Sequence, residues 1–185
     1  MRNCRFERAE MYEDISTLEQ YQQALNKGHS IENALNVCYQ YSRDNARTPM
    51  QWNGEEHAGF TNGQPWFYVN PNYREINAQK DMAAERSVFR FYKKLIALRK
   101  DPEYEEVLVT GNTRPLFTDE DHIFAYERAT ENGQKKVLVI SNYQNCDYDL
   151  TIDSAFQKVL LNNYESLEIT NGVLSLKPYQ TVVLQ

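Results

Sequence analysis

Apolar positions recur every three or four residues over 18–39 and again over 88–98, and every second residue from Val107 on, while residues 1–16 read as loop. Leu18, Tyr21 and Leu25 keep helical spacing. Thr17-Leu18-Glu19-Gln20 has the spacing of a capping box, with Thr17 as cap and Gln20 reaching back, and Gly28 is placed to end the helix. Ser30 predicts the cap of a second helix, with Ile31, Ala34, Leu35, Cys38 and Tyr39 on one face. A broader stripe of Val88, Phe91, Tyr92, Leu95, Ile96 and Leu98 predicts a helix over 81–100. Asp81 and Glu85 near its start, and Lys93, Lys94, Arg99 and Lys100 near its end, suit the helix dipole; Asp101-Pro102 stops it. Residues 48–78 hold Pro49, Pro65 and Pro71 with Gly54, Gly59 and Gly63, and show no apolar period. A loop this long is uncommon in a compact domain unless it serves a site. Trp52, Phe60, Trp66, Phe67 and Tyr73 are its expected anchors.

From Val107 the alternation predicts strands at Glu106–Thr110, Ile123–Arg128, Lys136–Asn142, Tyr148–Ile152, Lys158–Leu161, Ser166–Ile169, Val173–Leu176 and Thr181–Leu184. Glu131-Asn132-Gly133 and Asn171-Gly172 are turn signals between them. Eight short strands joined by tight turns imply an antiparallel sandwich. Helices followed by strands make the chain α+β, with a boundary expected near Asp101–Glu105: 1–104 helical and irregular, 105–185 all-β.

Composition narrows the partners. The 185 residues allow one or two domains, and 41% hydrophobic content is enough for a packed core. A net charge of −6 without any Lys/Arg run argues against a nucleic-acid partner. No apolar run approaches the roughly 18 residues of a membrane span, and Met1–Glu10 is too polar for a signal peptide. Cys4, Cys38 and Cys146 lie far apart, with no Cys-x-x-Cys or Cys/His spacing, so neither a metal nor a cofactor is expected. They read as reduced thiols of a cytoplasmic protein. His29 is expected to be exposed after Gly28, His57 to serve a contact with a neighbouring domain, and His122 to sit at a strand edge.

The candidate chemistry lies in Ser42-Arg43-Asp44-Asn45-Ala46-Arg47-Thr48-Pro49-Met50-Gln51-Trp52. Two arginines four apart flank an Asp, and Thr48-Pro49 breaks the backbone after them. A guanidinium fork suits carboxylates and vicinal hydroxyls alike. On the residues alone, the run is either an ion-pair knot that pins a loop or a pair of ligand-facing arginines.

This run, followed by Ala58-Gly59-Phe60-Thr61, Pro65-Trp66, Val69-Asn70-Pro71-Asn72-Tyr73, Ile76-Asn77 and the helix ending Phe91–Lys100, resembles one family. It is similar to the oligo-1,6-glucosidase, dextran glucosidase and trehalose-6-phosphate hydrolase branch of the alpha-amylase superfamily, glycoside hydrolase family 13. The resemblance implies that 1–104 is the C-terminal end of a (β/α)8 barrel: a helical hairpin, a long loop and the last barrel helix. It implies that 105–185 is the superfamily's C-terminal β-sandwich domain. A retaining α-glycosidase needs a nucleophile and an acid about 5–5.5 Å apart, with a third carboxylate, at the ends of barrel strands. None of their motifs occurs here, so no catalytic residue is expected, and no close pair of inward carboxylates beside Arg43. Asp44, Glu55 and Glu56 are not substitutes; Glu55-Glu56 reads as solvated surface charge.

What the resemblance carries over is Arg43, as the residue that reaches the glucose unit at the non-reducing end together with an Asp far upstream. With that Asp absent, Arg43 is expected to lack its orienting partner. Arg47 then holds the loop by ion pairing and Asp44 buttresses either arginine. The expected partners are an oligosaccharide substrate in the intact enzyme and a complementing chain that supplies the missing barrel segment. A second reading keeps 105–185 as a non-enzymatic structural or carbohydrate-binding module. The stripe on Phe91, Tyr92 and Leu95 is expected to lack the sheet it lies on, leaving 1–100 poorly ordered alone.

Overall fold

In the computed structural model, which describes residues 2–185, helix α1 (Ile15–Asn26) starts ahead of the predicted capping box. Its N-cap position is Asp14, and the Thr17 hydroxyl donates to Asp14 Oδ2 at 2.8 Å instead of capping backbone. The physical reason is charge: a carboxylate at the positive end of the helix dipole is favoured over a neutral hydroxyl. Gly28 ends the segment with φ +85°, a conformation that costs glycine nothing. Ser30 caps α2 (Ile31–Tyr41) through Asn33 N–H at 3.2 Å. Ala34 and Cys38 are the buried residues of its apolar face, whereas Ile31 is exposed.

These two helices belong to the first of two compact units, which runs to Phe89. Its core gathers Cys4, Phe6, Tyr12, Cys38 and Phe67. Phe6 meets Tyr12 and Phe67 edge to face, with ring centroids 5.1 and 5.9 Å apart. Of the expected aromatic anchors of the long loop, only Phe67 is buried; Trp52 and Trp66 are exposed. Buried amides order the loop instead. Asn70 accepts from Asn72 N–H and donates to Arg2 O at 2.7 Å. Asn77 caps α3 (Ala78–Ala83) through Lys80 N–H and donates to Tyr73 O. Gln51 Nε2 donates to Asn72 Oδ1 and Ile76 O at 2.8 and 2.6 Å.

The helix predicted over 81–100 is two helices. Residue 84 turns extended after α3, and α4 (Val88–Lys100) starts afresh. Asp81 explains the break: its Oδ2 accepts from Phe89 N–H at 2.8 Å, so it caps the next helix instead of continuing its own.

The second unit runs from Arg90 to Gln185. Here Phe91, Leu95 and Leu98 of α4 pack against Tyr104, Val107, Leu108, Val137, Leu161 and Val183. Phe91 and Leu95 therefore have an apolar partner, contrary to expectation; Tyr92 and Ile96 remain exposed. Residues Glu106–Thr110 form a π-helical turn and not a strand. Gly111 N–H closes the turn onto Glu106 O at 2.9 Å, and Val107 and Leu108 both enter the core that holds Phe91, Leu95 and Leu98. The strand missing from the sequence reading is β1 (Asn112–Leu116), a polar edge strand carrying Pro115.

The remaining strands are β2 (Ile123–Ala129), β3 (Lys136–Asn142), β4 (Tyr148–Thr151), β5 (Val159–Asn162), β6 (Glu168–Thr170), β7 (Val173–Leu176) and β8 (Thr181–Leu184). They form two antiparallel sheets, ordered β1-β2-β3-β8-β5 and β4-β7-β6. Leu138, Ile140, Leu150, Leu174, Leu176, Val182 and Leu184 fill the core they share. Asn171 and Gly172 both have positive φ, as a two-residue hairpin between β6 and β7 requires.

Candidate functional site

Ser42 starts the site. Its Oγ accepts from Asp44 N–H at 3.2 Å and opens the 3-10 turn Arg43–Ala46. The tight turn sends neighbouring side chains in opposite directions: Asp44 is fully buried, whereas the Arg43 side chain is 65% exposed. Asp44 Oδ2 accepts from the backbone N–H groups of Glu13 and Asp14 at 2.7 and 2.9 Å, and its Oδ1 accepts from Arg47 Nη1 at 3.2 Å. Asn45 adds a second tie. Its Oδ1 accepts from Cys4 N–H at 2.9 Å and its Nδ2 donates to Tyr39 O at 3.0 Å. The Ser-Arg-Asp-Asn-Ala-Arg run thus stitches residues 4, 13–14 and 39 together.

Arg43 does have an orienting partner, and it comes from within the chain. Its Nε and Nη2 donate to Asp14 Oδ1 at 3.0 and 2.5 Å. Asp14 Oδ2 takes the Thr17 hydroxyl at 2.8 Å and Arg43 N–H at 3.4 Å. The Arg43 guanidinium, ahead of the opposing cost of burial, holds the Asp14 carboxyl far below the usual carboxylate range. Sequence reading missed Asp14. The signal available was an acidic residue immediately before a helical run, the N-cap position.

Two buried carboxylates therefore stand beside Arg43, where Asp44 alone was expected. Neither can act as the acid and nucleophile of a glycosidase. Asp44 is inaccessible and its lone pairs are taken by two amides and a guanidinium. Asp14, 3% exposed, has both carboxylate oxygens engaged by Arg43 and Thr17. Glu56 is solvated, with a side chain 90% exposed.

Glu13, whose amide Asp44 holds, lines a cleft of about 420 Å³ with His57, Trp66 and Tyr68. His57 thus faces a cleft of its own unit. It sits in a sharp bend where His57, Ala58 and Gly59 all have positive φ, and Ala58 O accepts from Trp52 and Asn53 N–H. Among the described residues, no three His, Cys, Asp or Glu are grouped to hold a metal ion, and no helix is long and apolar enough to cross a membrane.

Comparison with known proteins bears on the family of the chain. Residues 11–111 match the model of the alpha-amylase catalytic domain, and residues 123–183 match that of the alpha-amylase SusG C-terminal domain. An oligo-1,6-glucosidase of Bacillus cereus is 40% identical over all of this chain and 33% of its own length. A glucan 1,6-alpha-glucosidase of Streptococcus pneumoniae is 40% identical over 91% of this chain and 30% of its own length. The crystal structure of Bacillus licheniformis trehalose-6-phosphate hydrolase superposes with a TM-score of 0.87 at 35% identity, covering 100% of this chain and 33% of that one. The chain thus spans about a third of the relatives it matches, and with the catalytic-domain model covering more than half of its residues, it belongs to the alpha-amylase family of glycoside hydrolases.

Proposed function

We propose that this chain carries the substrate-gripping arginine and the C-terminal β domain of a glycoside hydrolase that cleaves α-glucosidic bonds in short oligosaccharides. In this assignment residues 1–104 are the end of the barrel and 105–185 the β-sandwich domain. The observation that carries it is Arg43: an exposed guanidinium fixed at Nε and Nη2 by a buried carboxylate, with Nη1 outside that pair. Such a fork, pre-oriented and charged, suits vicinal sugar hydroxyls, at ~1.5–3 kcal/mol per charge-assisted hydrogen bond. Asp44 and Arg47 support the turn that presents it. The unpaired thiols Cys4, Cys38 and Cys146 favour a cytoplasmic setting.

Hydrolysis is not expected of these 185 residues alone, because Asp14 and Asp44 are spent on hydrogen bonds. The test uses p-nitrophenyl α-glucoside with the chain alone and co-expressed with a segment supplying the preceding two thirds of a relative. Turnover should appear only in the pair, and Arg43→Ala should lower kcat/KM by roughly 10- to 150-fold, the equivalent of one such hydrogen bond. Enzyme-like turnover by the chain alone would refute the claim of inactivity. A second reading rests on the separate cores of the unit from Arg90 onward: a self-standing structural or carbohydrate-binding module. Millimolar or tighter binding of isomaltose or maltose by residues 90–185 alone would favour it.

A further inference from the structure

Away from Arg43, the second unit holds an arrangement that the glycosidase assignment does not use. Cys146 Sγ lies 3.7 Å from His122 Nδ1, and Cys146 is exposed. The His122 ring stacks on Tyr148, with centroids 5.2 Å apart and planes 19° apart, and the Tyr148 hydroxyl donates to Glu120 Oε2. Backbone ties fix both partners. Tyr143 N–H donates to His122 O at 2.9 Å, while the buried Asn142 side chain donates to Cys146 O at 2.7 Å and accepts from Gln144 N–H at 2.9 Å. The pair is therefore positioned by β2, β3 and the loop after β3, and is not a chance approach of two mobile side chains.

We propose that Cys146 is a modifiable thiol that exchanges with low-molecular-mass disulfides, with His122 as its proton acceptor. In the neutral tautomer protonated on Nε2, His122 Nδ1 takes the proton from the Cys146 thiol. The Cys146 thiolate attacks one sulfur of the small disulfide. A new S–S bond forms and the old one breaks. The distal half leaves as a thiolate that takes the proton from His122. Cys146 is oxidised to a mixed disulfide and the incoming disulfide is reduced to one free thiol. A nucleophile beside a base whose ring is held by a third group is the usual geometry for activation. The attacking species is the thiolate, a few per cent of an ordinary thiol at neutral pH, so an adjacent base has room to raise the rate by an order of magnitude. Glu120 reaches the pair through Tyr148, and Asp121 and Asp147 adjoin His122 and Cys146 along the chain.

Cys4 and Cys38 provide an internal clock, being fully buried in the other unit. With dithiodipyridine and the intact chain, one thiol equivalent should react fast and two should lag. Cys146→Ser should remove the fast phase alone. His122→Phe keeps a ring to stack on Tyr148 and should slow the fast phase about tenfold near neutral pH. In the native chain, the rate should rise through the imidazole range instead of only at the higher pH of a free thiol. Incubation with oxidised glutathione should give one adduct, mapped to Cys146 by peptide mass. Simultaneous reaction of all three thiols, an unchanged rate in His122→Phe, a pH profile with only the free-thiol limb, or a disulfide-linked dimer without adduct would each overturn the proposal. If His122→Phe unfolds, the lagging thiols will react early, and the native-chain pH profile then decides.

Discussion

Asp14 serves two masters at once: it stands at the positive end of α1 and it holds Arg43. Its carboxyl is held low by that guanidinium first. A depressed folded-state value means stability that is present above the unfolded carboxylate range, near pH 4, and lost as pH falls below it. Asp14→Asn should therefore shrink the acid-side loss of stability, while costing about 1–2 kcal/mol near neutrality. The figure sits at the low end for a charged hydrogen bond because solvent screens the exposed Arg43. Urea midpoints of both proteins from pH 2 to 7 check this. Tyr12 gives the opposite limb. It is buried, donates to Cys4 O at 3.1 Å, and burial pushes its hydroxyl up to about 12. A raised value keeps the folded state protonated while the unfolded state ionises, so stability should fall from about pH 10. Tyr12→Phe should flatten that decline in the same titration carried to pH 12. At this scale the motif was legible but its partner was not. Arg43, Asp44 and Arg47 announce themselves within five residues, whereas Asp14 lies 29 residues from Arg43 and no local spacing couples them.

Between elements, the deciding quantity is which faces find cover. The α4 stripe reads from sequence as one broad face, but the molecule divides it: Leu95 joins the core under the β sheet and Tyr92 does not. Leu95→Ala should cost about 2 kcal/mol, the lower end for a core deletion since it is only partly buried. Tyr92→Ala should stay within about 0.5 kcal/mol. Equal losses in denaturant midpoint would contradict this division. Gly111 is the sharpest joint. A Cβ there would lie 2.4 Å from Val107 O and 2.8 Å from Ala129 O, both backbone atoms that cannot step aside. Gly111→Ala should destabilise the chain by ~1–3 kcal/mol, visible as a lower Tm. The strand pattern located β3, β7 and β8 to the residue, because each is a short run rich in Val, Leu or Ile bounded by turn residues. It failed at Val107-Leu108-Val109, where β-branched residues imitate a strand but the backbone closes a helical turn from Gly111 N–H to Glu106 O. It passed over β1, whose polar residues pair along an edge and leave no alternation to read.

At the scale of the molecule, the two units differ in what they can bury. Among the described residues, ten form the core between the sheets and six more the core under α4, against five in the core of the unit that carries Arg43. Buried apolar area is the main favourable term in folding, so the smaller core should open at lower free energy. The expectation from sequence put the division near residue 104 and left the last helix bare. Packing of Phe91, Leu95 and Leu98 against Val107, Val137 and Val183 moves α4 into the cooperative unit of the strands. Native-state hydrogen exchange on the 185-residue chain should therefore show amides from about residue 92 to 100 exchanging in step with β2, β3 and β8, and those of α1 and α2 exchanging earlier and at lower denaturant. Protection of α1 and α2 equal to that of the strands would mean that the Ser42–Arg47 stitching stabilises its unit as much as a full sandwich core does. Early exchange of α4 together with α1 and α2 would mean that its contacts in the second unit are too weak to hold it without a barrel.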